Sequence, residues 1–233
     1  MGIRNFLFDL YGTLVDVHTD EDSPAFWTDI ASMLRTDDSA RLRERYRALC
    51  EAEHSAERET QLTNVFTALL REYGSAEDVL SFAWRFRERS VCKLRPFEGA
   101  IALLDGLRAR GAGVYLLSNA QACFTRRELD ILGLSDKFDG IQLSSEVGWK
   151  KPSGQFFRAA FERFSLSPDA CIYIGNDLRD DVGGARGVGM RSVYIETEQS
   201  GRYESPPPVD LRAENYRALA SMLLHLAEEG DRC

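Results

Sequence analysis

A short apolar run near the start of the chain ends in a single carboxylate. Residues 3–10 are apolar at most positions, which predicts a strand buried on both faces of a sheet. Asp9 lies at the end of this run, and Gly12 marks a turn directly after it. This order of residues presents a reactive side chain at the carboxyl edge of a strand. It constrains the fold more than any other segment of the chain.

Residues 24–90 repeat apolar side chains at three- and four-residue steps, the spacing of amphipathic helices. Ser23 and Pro24 predict where the first helix begins, as a cap and a first-turn proline. We interpret residues 17–92 as a helical bundle inserted after the first strand. Its expected core includes Phe26, Trp27, Phe66, Trp84 and Phe86, and one expected apolar face consists of Val79, Leu80, Ala83 and Phe86.

After the insertion, apolar strand patterns alternate with helical patterns. This alternation predicts an α/β fold, in which residues 1–16 and 93–233 form a doubly wound, Rossmann-like core with a mainly parallel sheet. Residues 11–24 are expected to be turns, and residues 196–210 an irregular loop. A short helix is expected over residues 181–187 and a terminal helix over residues 211–226.

Polar residues follow several of the predicted strands. Asp9, Ser118 and Asp177 come at strand ends, and Lys151 lies slightly downstream of another strand. Because ligands of such sheets bind at the carboxyl ends of the strands, these side chains are expected to converge. Each residue also has an ordinary structural explanation, such as a helix cap for Ser118 or a solvated surface position for a lysine.

Four segments in this order resemble the haloacid dehalogenase-like (HAD) hydrolase superfamily, in its helical-cap (C1) subgroup. They are residues 8–14 (Phe-Asp-Leu-Tyr-Gly-Thr-Leu), 117–119, 151–152 and 175–185. The resemblance extends over nearly the whole chain, and the inserted helices are similar to the α-helical cap domain of that family.

The resemblance implies roles for five residues. Asp9 is the expected nucleophile, which gives a covalent aspartyl intermediate. Ser118, Asn119 and Thr13 are expected to bind the anionic oxygens of the substrate. Lys151 is expected to stabilise negative charge beside the nucleophile. Its neighbour Lys150 is interpreted as a solvated surface lysine.

The acidic fourth segment predicts a cation site. Carboxylate oxygens and water are the ligands that Mg²⁺ prefers, and carboxylates this close repel one another unless a cation or protons intervene. The expected ligands are Asp9, the backbone carbonyl of Tyr11, and Asp177. Asp181 is expected either to ligate or to lie behind the ligands and hold Lys151. The alternative is a solvated acidic run.

Tyr11 departs from the family's phosphatases, in which a second aspartate usually stands two residues after the nucleophile and serves as acid and base. An unperturbed phenol is a poor base at neutral pH, and loss of acid–base assistance costs on the order of 10²–10⁴ in rate. Tyr11 is kept among the expected catalytic residues, although it retains only the backbone carbonyl of the family's aspartate and loses the carboxylate. Asp16 and His18 are candidate replacements, although a solvated loop histidine is the simpler explanation of His18.

Two segments favour different chemistry. The Asp-x-Tyr-Gly-Thr order resembles metal-independent 2-haloacid dehalogenases, whereas Asp177 favours a metal-dependent phosphohydrolase. We weight the fourth segment more and predict Mg²⁺-dependent hydrolysis of a small phosphate monoester. The alternatives are a 2-haloacid dehalogenase and a slow or non-catalytic ligand-binding protein of the same fold.

The net charge of −8 over 233 residues disfavours nucleic acid and anionic membrane as partners, although a small anionic substrate remains compatible. No apolar run reaches the roughly 20 residues of a membrane span, and the first residues do not resemble a signal peptide. The five cysteines form no paired pattern, which predicts a reducing, cytoplasmic location. The oligomeric state is not predicted.

Overall fold

The structure, a computed structural model, describes residues 2–204 and 207–230. Within these ranges the chain forms eight strands: β1 (Asn5–Phe8), β2 (Val15–Thr19), β3 (Val91–Pro96), β4 (Gly113–Ser118), β5 (Gly140–Leu143), β6 (Cys171–Gly175), β7 (Arg191–Ile195) and β8 (Leu211–Ala213). Six of them form one sheet in the order β5-β4-β1-β6-β7-β8, and every neighbouring pair is parallel. The predicted α/β fold is confirmed.

The same ranges contain ten α-helices: α1 (Pro24–Met33), α2 (Ser39–Ala52), α3 (Leu62–Glu72), α4 (Val79–Ser90), α5 (Ala100–Arg108), α6 (Ala122–Ile131), α7 (Ser144–Val147), α8 (Gly154–Phe164), α9 (Gly184–Gly187) and α10 (Tyr216–Gly230). A π-helical turn, Leu178–Gly183, precedes α9. The short helix predicted at residues 181–187 is thus this turn followed by α9.

Strand β1 is central because helices cover both of its faces. Phe6 and Phe8 pack in a core with α5 and α10 on one side, and Leu7 packs with α8 on the other. All three side chains are fully buried, which explains the continuous apolar run in place of an alternating one. Phe8 pairs with a residue of β4 on one side and of β6 on the other. Asp9 therefore lies beside the ends of both neighbouring strands.

Helices α1–α4 pack around an aromatic cluster of their own. Phe66 lies at its centre, with ring centroids 5.0 Å from Phe86 and 5.5 Å from Phe82. Phe124 of the core helix α6 also belongs to the cluster, with its ring centroid 6.1 Å from that of Phe66. The inserted helices and α6 therefore share one continuous apolar interface.

Two expectations for the inserted helices are wrong. Leu80 is 55% exposed, and Phe82 on the same helix is buried in its place. Trp84 lies outside the aromatic cluster and is only partly buried, under the guanidinium of Arg127, whose Cζ is 4.2 Å from the ring centroid. Apolar character alone did not distinguish the bundle face from the side facing α6.

Part of the segment expected to be turns is a strand. Residues 15–19 form β2, which pairs antiparallel with β3, so a two-stranded ribbon flanks the inserted helices at both ends. Asp16 lies buried in this ribbon, paired with Lys93 of β3 and within 3.4 Å of Arg95 Nε. The charged residues of the ribbon obscured its strand pattern in the sequence.

The terminal helix begins later than predicted. Residues 211–213 form β8, which pairs with the end of β7, and α10 starts at Tyr216. Three residues are too few to show a strand pattern in the sequence. In the preceding loop, predicted irregular, Ser205 and Pro206 lie outside the described residues.

Two features of the composition have structural counterparts. Cys50, Cys92, Cys123 and Cys171 are free thiols, and Cys233 lies outside the described residues. No helix in the described ranges combines the length and the apolar character needed to cross a membrane.

Candidate active site

Asp9 lies at the carboxyl end of β1 and is 6% exposed. Its Oδ1 accepts hydrogen bonds from the hydroxyl of Ser118 at 2.9 Å and from the ammonium of Lys151 at 2.8 Å. Its Oδ2 has a single longer contact, 3.3 Å from the hydroxyl of Thr13. One carboxylate oxygen is therefore held from two sides, and the other is available for chemistry.

The turn after Asp9 requires glycine. Gly12 has φ +78°, in the left-handed region, and a Cβ at this position would lie 2.5 Å from Nδ2 of Asn176. The close approach brings Thr13 to the carboxyl end of β6, where its hydroxyl lies 3.1 Å from Oδ1 of Asn176. Asn176 also lines the cleft around Asp9. Asn176 belongs to the fourth segment, residues 175–185, but no role was predicted for it from the sequence because it carries no charge.

Lys151 is buried and donates three hydrogen bonds, to Asp9, to Asp181 at 2.6 Å and to the hydroxyl of Tyr173 at 2.9 Å. Burial alone lowers the pKa of Lys151, but the carboxylates of Asp181 and Asp9 raise it well above its ordinary value. Tyr173 in turn donates to the carbonyl of Leu117 at 2.7 Å. Tyr173 was missed because it sits within an apolar strand, where the sequence offers no polar signal.

Asp181 is bound to Lys151. Its Oδ1 accepts from Lys151, and its Oδ2 accepts from the main-chain N–H of Asp177 at 2.9 Å. Burial raises the pKa of Asp181, and the ammonium of Lys151 offsets part of that rise. A Cβ at Gly175 would lie 2.2 Å from Oδ2 of Asp181, so only glycine allows this carboxylate to approach the strand end.

Asp177 binds within its own loop. Its Oδ1 accepts from the main-chain N–H groups of Arg179 at 2.8 Å and Asp180 at 2.7 Å, and its Oδ2 accepts from the hydroxyl of Tyr203 at 2.7 Å. Both oxygens thus have protein donors. Ligation of a metal by Asp177 would share or displace the Tyr203 contact, and its assignment as a ligand stays a prediction.

Asn119 binds the main chain of Lys151 through both ends of its amide. Its Oδ1 accepts from Lys151 N at 2.7 Å, and its Nδ2 donates to Lys151 O at 3.1 Å. This side chain therefore places the lysine. Lys150, the adjacent lysine, is outside the cleft lining, and its main-chain N–H donates to the carbonyl of Glu57 at 2.9 Å.

The hydroxyl of Tyr11 points toward α6. It donates to Glu128 and lies 2.9 Å from the hydroxyl of Thr125. Arg87, from α4, donates to the other oxygen of Glu128 at 2.6 Å. Burial, and then the charge of Glu128, raise the pKa of Tyr11 above its ordinary range. The two candidate replacements for an acid–base group lie elsewhere: Asp16 in the ribbon and His18 beside it, 3.2 Å away.

The cleft around Asp9 has a volume of about 230 Å³. Its lining includes four carboxylates and one ammonium, and none of its lining residues comes from residues 17–92: Asp9, Tyr11, Ser118, Asn119, Lys151, Asn176, Asp177, Asp180, Asp181 and Gln199. Burial, followed by the charge of Asp177, raises the pKa of Asp180 as well. The cleft therefore has a surplus of negative charge.

The charge and the oxygen atoms of the cleft lining bear on whether Mg²⁺ binds there. The surplus charge and the oxygen donors of the lining suit a hard divalent cation. In residues 2–204 and 207–230, however, no group of three or more Asp, Glu, His or Cys side chains is arranged to hold a metal. The residues fit Mg²⁺ in charge and chemistry, provided that water and substrate oxygens complete its shell.

Comparison with known proteins points to one family. A family model described as haloacid dehalogenase-like hydrolase matches residues 3–189. A phosphoserine phosphatase from Thermus thermophilus is 36% identical over 135 residues, a match that covers 57% of this chain and 53% of that protein. The chain thus spans about half the length of this relative.

Two solved structures share the fold over nearly the whole chain. A HAD phosphatase from Thermococcus onnurineus has a TM-score of 0.66 at 20% identity, with 95% of this chain and 98% of that chain covered. A dehalogenase with an intermediate complex has a TM-score of 0.63, also at 20% identity, with coverage of 96% and 98%. Both activities thus occur on this fold.

Proposed function

The chain belongs to the haloacid dehalogenase-like hydrolases, and on that basis we propose that it hydrolyses a small phosphate monoester with Asp9 as the nucleophile. The observation that carries the proposal is the asymmetry of this carboxylate. Ser118 and Lys151 hold Oδ1, whereas Oδ2 has one long contact, with Thr13. A carboxylate oriented in this way can attack a substrate bound in the cleft.

The proposed reaction has two steps. Oδ2 of Asp9 forms a bond to phosphorus while the bond from phosphorus to the leaving oxygen breaks, and the leaving group takes that electron pair. Water then attacks the aspartyl phosphate and releases phosphate and Asp9. Lys151 and Ser118 keep the carboxylate in place in both steps, and Lys151 offsets part of the negative charge.

We include Mg²⁺ in the proposal because of the charge of the cleft. Four carboxylates and one ammonium would repel a phosphate dianion. A bound Mg²⁺, held by Asp9, the Tyr11 carbonyl and Asp177 with Asp181 behind them, would offset this charge and polarise the phosphoryl oxygens.

We further propose a division into two domains, a class of partner and a cellular location. Residues 1–16 and 93–233 form the catalytic core, and residues 17–92 form the cap that selects the substrate. The partner is a small anionic molecule and not nucleic acid or a membrane, in keeping with the net charge of −8. The unpaired cysteines support a cytoplasmic location.

A second candidate is a 2-haloacid dehalogenase. Both oxygens of Asp177 already have protein donors, and Tyr11 stands where the phosphatases of the family usually carry an aspartate. In this reaction Asp9 would displace halide from carbon without a metal. The third candidate, a ligand-binding protein with slow turnover, rests on the engagement of the Tyr11 phenol with Glu128.

One preparation assayed in two ways distinguishes the candidates. We expect hydrolysis of an aryl phosphate with Mg²⁺ and its loss with a chelator. Chloride release from 2-chloropropionate that persists with a chelator, without phosphate hydrolysis, would identify a dehalogenase. Trace activity in both assays, with thermal stabilisation by a phosphate compound, would identify a binding protein.

The nucleophile is tested by Asp9→Asn, with Asp29→Asn at an exposed position of α1 as the matched control. We expect the first variant to lose turnover and the second to retain it. Full turnover by Asp9→Asn would show that the nucleophile is another residue.

A further inference from the structure

The hydroxyl of Tyr11 belongs to a buried network between the core and the inserted helices. Glu128 is fully buried, Thr125 is 1% exposed and Arg87 is 9% exposed. Among the described residues, Arg87–Glu128 is the one ion pair that joins helices α1–α4 to the core helices. The ring of Tyr11 also lies near the guanidinium of Arg87, with 5.7 Å from its centroid to Cζ.

This network occupies the single proton of the phenol. Tyr11 donates to Glu128, so Thr125, whose hydroxyl lies 2.9 Å away, donates to Tyr11. To protonate a substrate, Tyr11 would have to break its bond to Glu128. The fully buried carboxylate of Glu128 would then lose a donor, which is costly.

The other donors that line the cleft also have protein acceptors. All three N–H groups of Lys151 are used, and the hydroxyl of Ser118 donates to Asp9. The amide of Asn119 donates to Lys151 O, the amide of Asn176 lies 3.4 Å from the hydroxyl of Thr197, and the amide of Gln199 donates to Asp16. Within the described part of the chain, each donor group of the cleft wall therefore has at least one partner inside the protein.

Asp180 is a further carboxylate of the cleft wall. Its closest side-chain partner is the amide of Asn119, at 3.4 Å, and no hydrogen bond joins it to Asp9, Ser118 or Lys151 among the described residues. It lies beside Asp177, whose carboxylate is bound to its main-chain N–H. Asp180 thus lines the cleft but takes no part in holding the nucleophile.

We propose that Glu128 and Arg87 hold Tyr11 away from proton transfer, and that the substrates are acyl, enol or aryl phosphates whose weakly basic leaving group departs without a proton. This inference rests on the proposed function, because it takes Asp9 as the nucleophile toward phosphorus. In the first step the leaving oxygen departs as an anion with the electron pair of the broken bond. Solvent protonates this anion afterwards if it is basic enough to take up a proton. Alkyl phosphates, whose leaving alkoxides are strongly basic, are poor substrates.

The test compares acetyl phosphate, a series of substituted phenyl phosphates and an alkyl phosphate with the Mg²⁺-loaded protein. We expect kcat/KM to fall steeply as the leaving group becomes more basic, by at least about 10²-fold from 4-nitrophenyl to alkyl phosphate, the contribution of a general acid. Turnover that is nearly independent of the leaving group overturns this inference and leaves the proposed function intact. Absence of turnover with every phosphate overturns both.

Two variants locate any hidden acid. We expect Tyr11→Phe and Asp180→Asn to keep the steep dependence on the leaving group, whatever their effect on the absolute rate. Tyr115→Phe, at a half-buried tyrosine packed on Phe164, serves as the matched control for loss of a phenol. A further steepening in either of the first two variants would identify its residue as the proton donor and contradict the proposal.

Discussion

Lys151 lies closer to Asp181 than to the nucleophile: its ammonium is 2.6 Å from Oδ1 of Asp181 and 2.8 Å from Oδ1 of Asp9. The other oxygen of Asp181 accepts from a main-chain N–H. Asp181 therefore fixes the ammonium, and the ammonium fixes one oxygen of Asp9. The nucleophile is oriented by a chain of buried charges whose members depend on one another.

Removal of the ammonium should damage both folding and chemistry. In Lys151→Met two buried carboxylates lose their common cation, and breaking a buried pair in this way costs about 3–5 kcal/mol. We expect urea unfolding to show this loss and turnover to fall by at least about 10²-fold. Lys150→Met is the matched control, expected within about 0.5 kcal/mol of the parent protein. Equal effects of the two substitutions would contradict the assignment of Lys151.

Binding of Mg²⁺ should be visible without any substrate. An ion that binds only the folded state raises the unfolding temperature, in proportion to the logarithm of its concentration above Kd. We expect Mg²⁺ to stabilise the parent protein and Asp177→Asn to reduce that stabilisation. Tyr203→Phe removes the donor to Oδ2 of Asp177 and should strengthen Mg²⁺ binding. If Asp177→Asn shows the full Mg²⁺-dependent shift, Asp177 is not a ligand.

Glu21 should make the stability depend on pH. Burial raises the pKa of Glu21, and the nearby guanidinium of Arg87 offsets part of the rise. The folded state then binds the proton more tightly than the unfolded state. The free energy of unfolding therefore falls as pH rises from the pKa of Glu21 in the unfolded state to its higher pKa in the folded state. Glu21→Gln cannot ionise, and its stability relative to the parent protein should increase from acidic to neutral pH. The exposed Glu51→Gln is the control, and an equal pH response of both variants would exclude this role.

The aromatic cluster of the inserted helices should carry much of their stability. Phe66 is fully buried, with three aromatic neighbours in this bundle. Phe66→Ala leaves a cavity there, and such substitutions cost about 3–5 kcal/mol. Leu80→Ala, on an exposed leucine of the same bundle, should change the free energy of unfolding by less than about 0.5 kcal/mol. Denaturant unfolding measures both, and similar losses would contradict the packing described for α4.

The sequence predicted the parts of the site that depend on local order. Asp9 and Ser118 follow apolar strands, and parallel strands bring their carboxyl ends to one edge. The contacts that the sequence did not predict join distant residues: Thr13 with Asn176 is separated by 163 positions, and Tyr11 with Glu128 by 117. Such pairs leave no periodic pattern, because each member looks like an ordinary residue of its own strand, turn or helix.

In the fold, too, local features were predicted from the sequence and long-range pairings were not. Strong local signals were predictive: α1 begins at Pro24 with Ser23 as its cap, where those two residues predicted it. The missed strands are short, and their neighbours decide their structure: β8 has three residues and forms only because the end of β7 offers it a partner. The ribbon β2–β3 is likewise stabilised by a pairing across the inserted helices, between segments more than 70 residues apart.

An acid introduced beside Asp9 should raise phosphatase activity if the charge of the network around Tyr11 is kept unchanged. Tyr11→Asp alone would place a second carboxylate near the buried Glu128, and these like charges would repel each other. In Tyr11→Asp/Glu128→Gln the buried network keeps one carboxylate for Arg87, so the charge is balanced. We expect this double variant to hydrolyse alkyl phosphates faster than the parent protein, since a general acid contributes on the order of 10²–10⁴ where the leaving group is strongly basic. Glu128→Gln alone, which supplies no acid, is the control. A double variant that is folded by circular dichroism but shows no gain would indicate that a missing acid does not limit turnover.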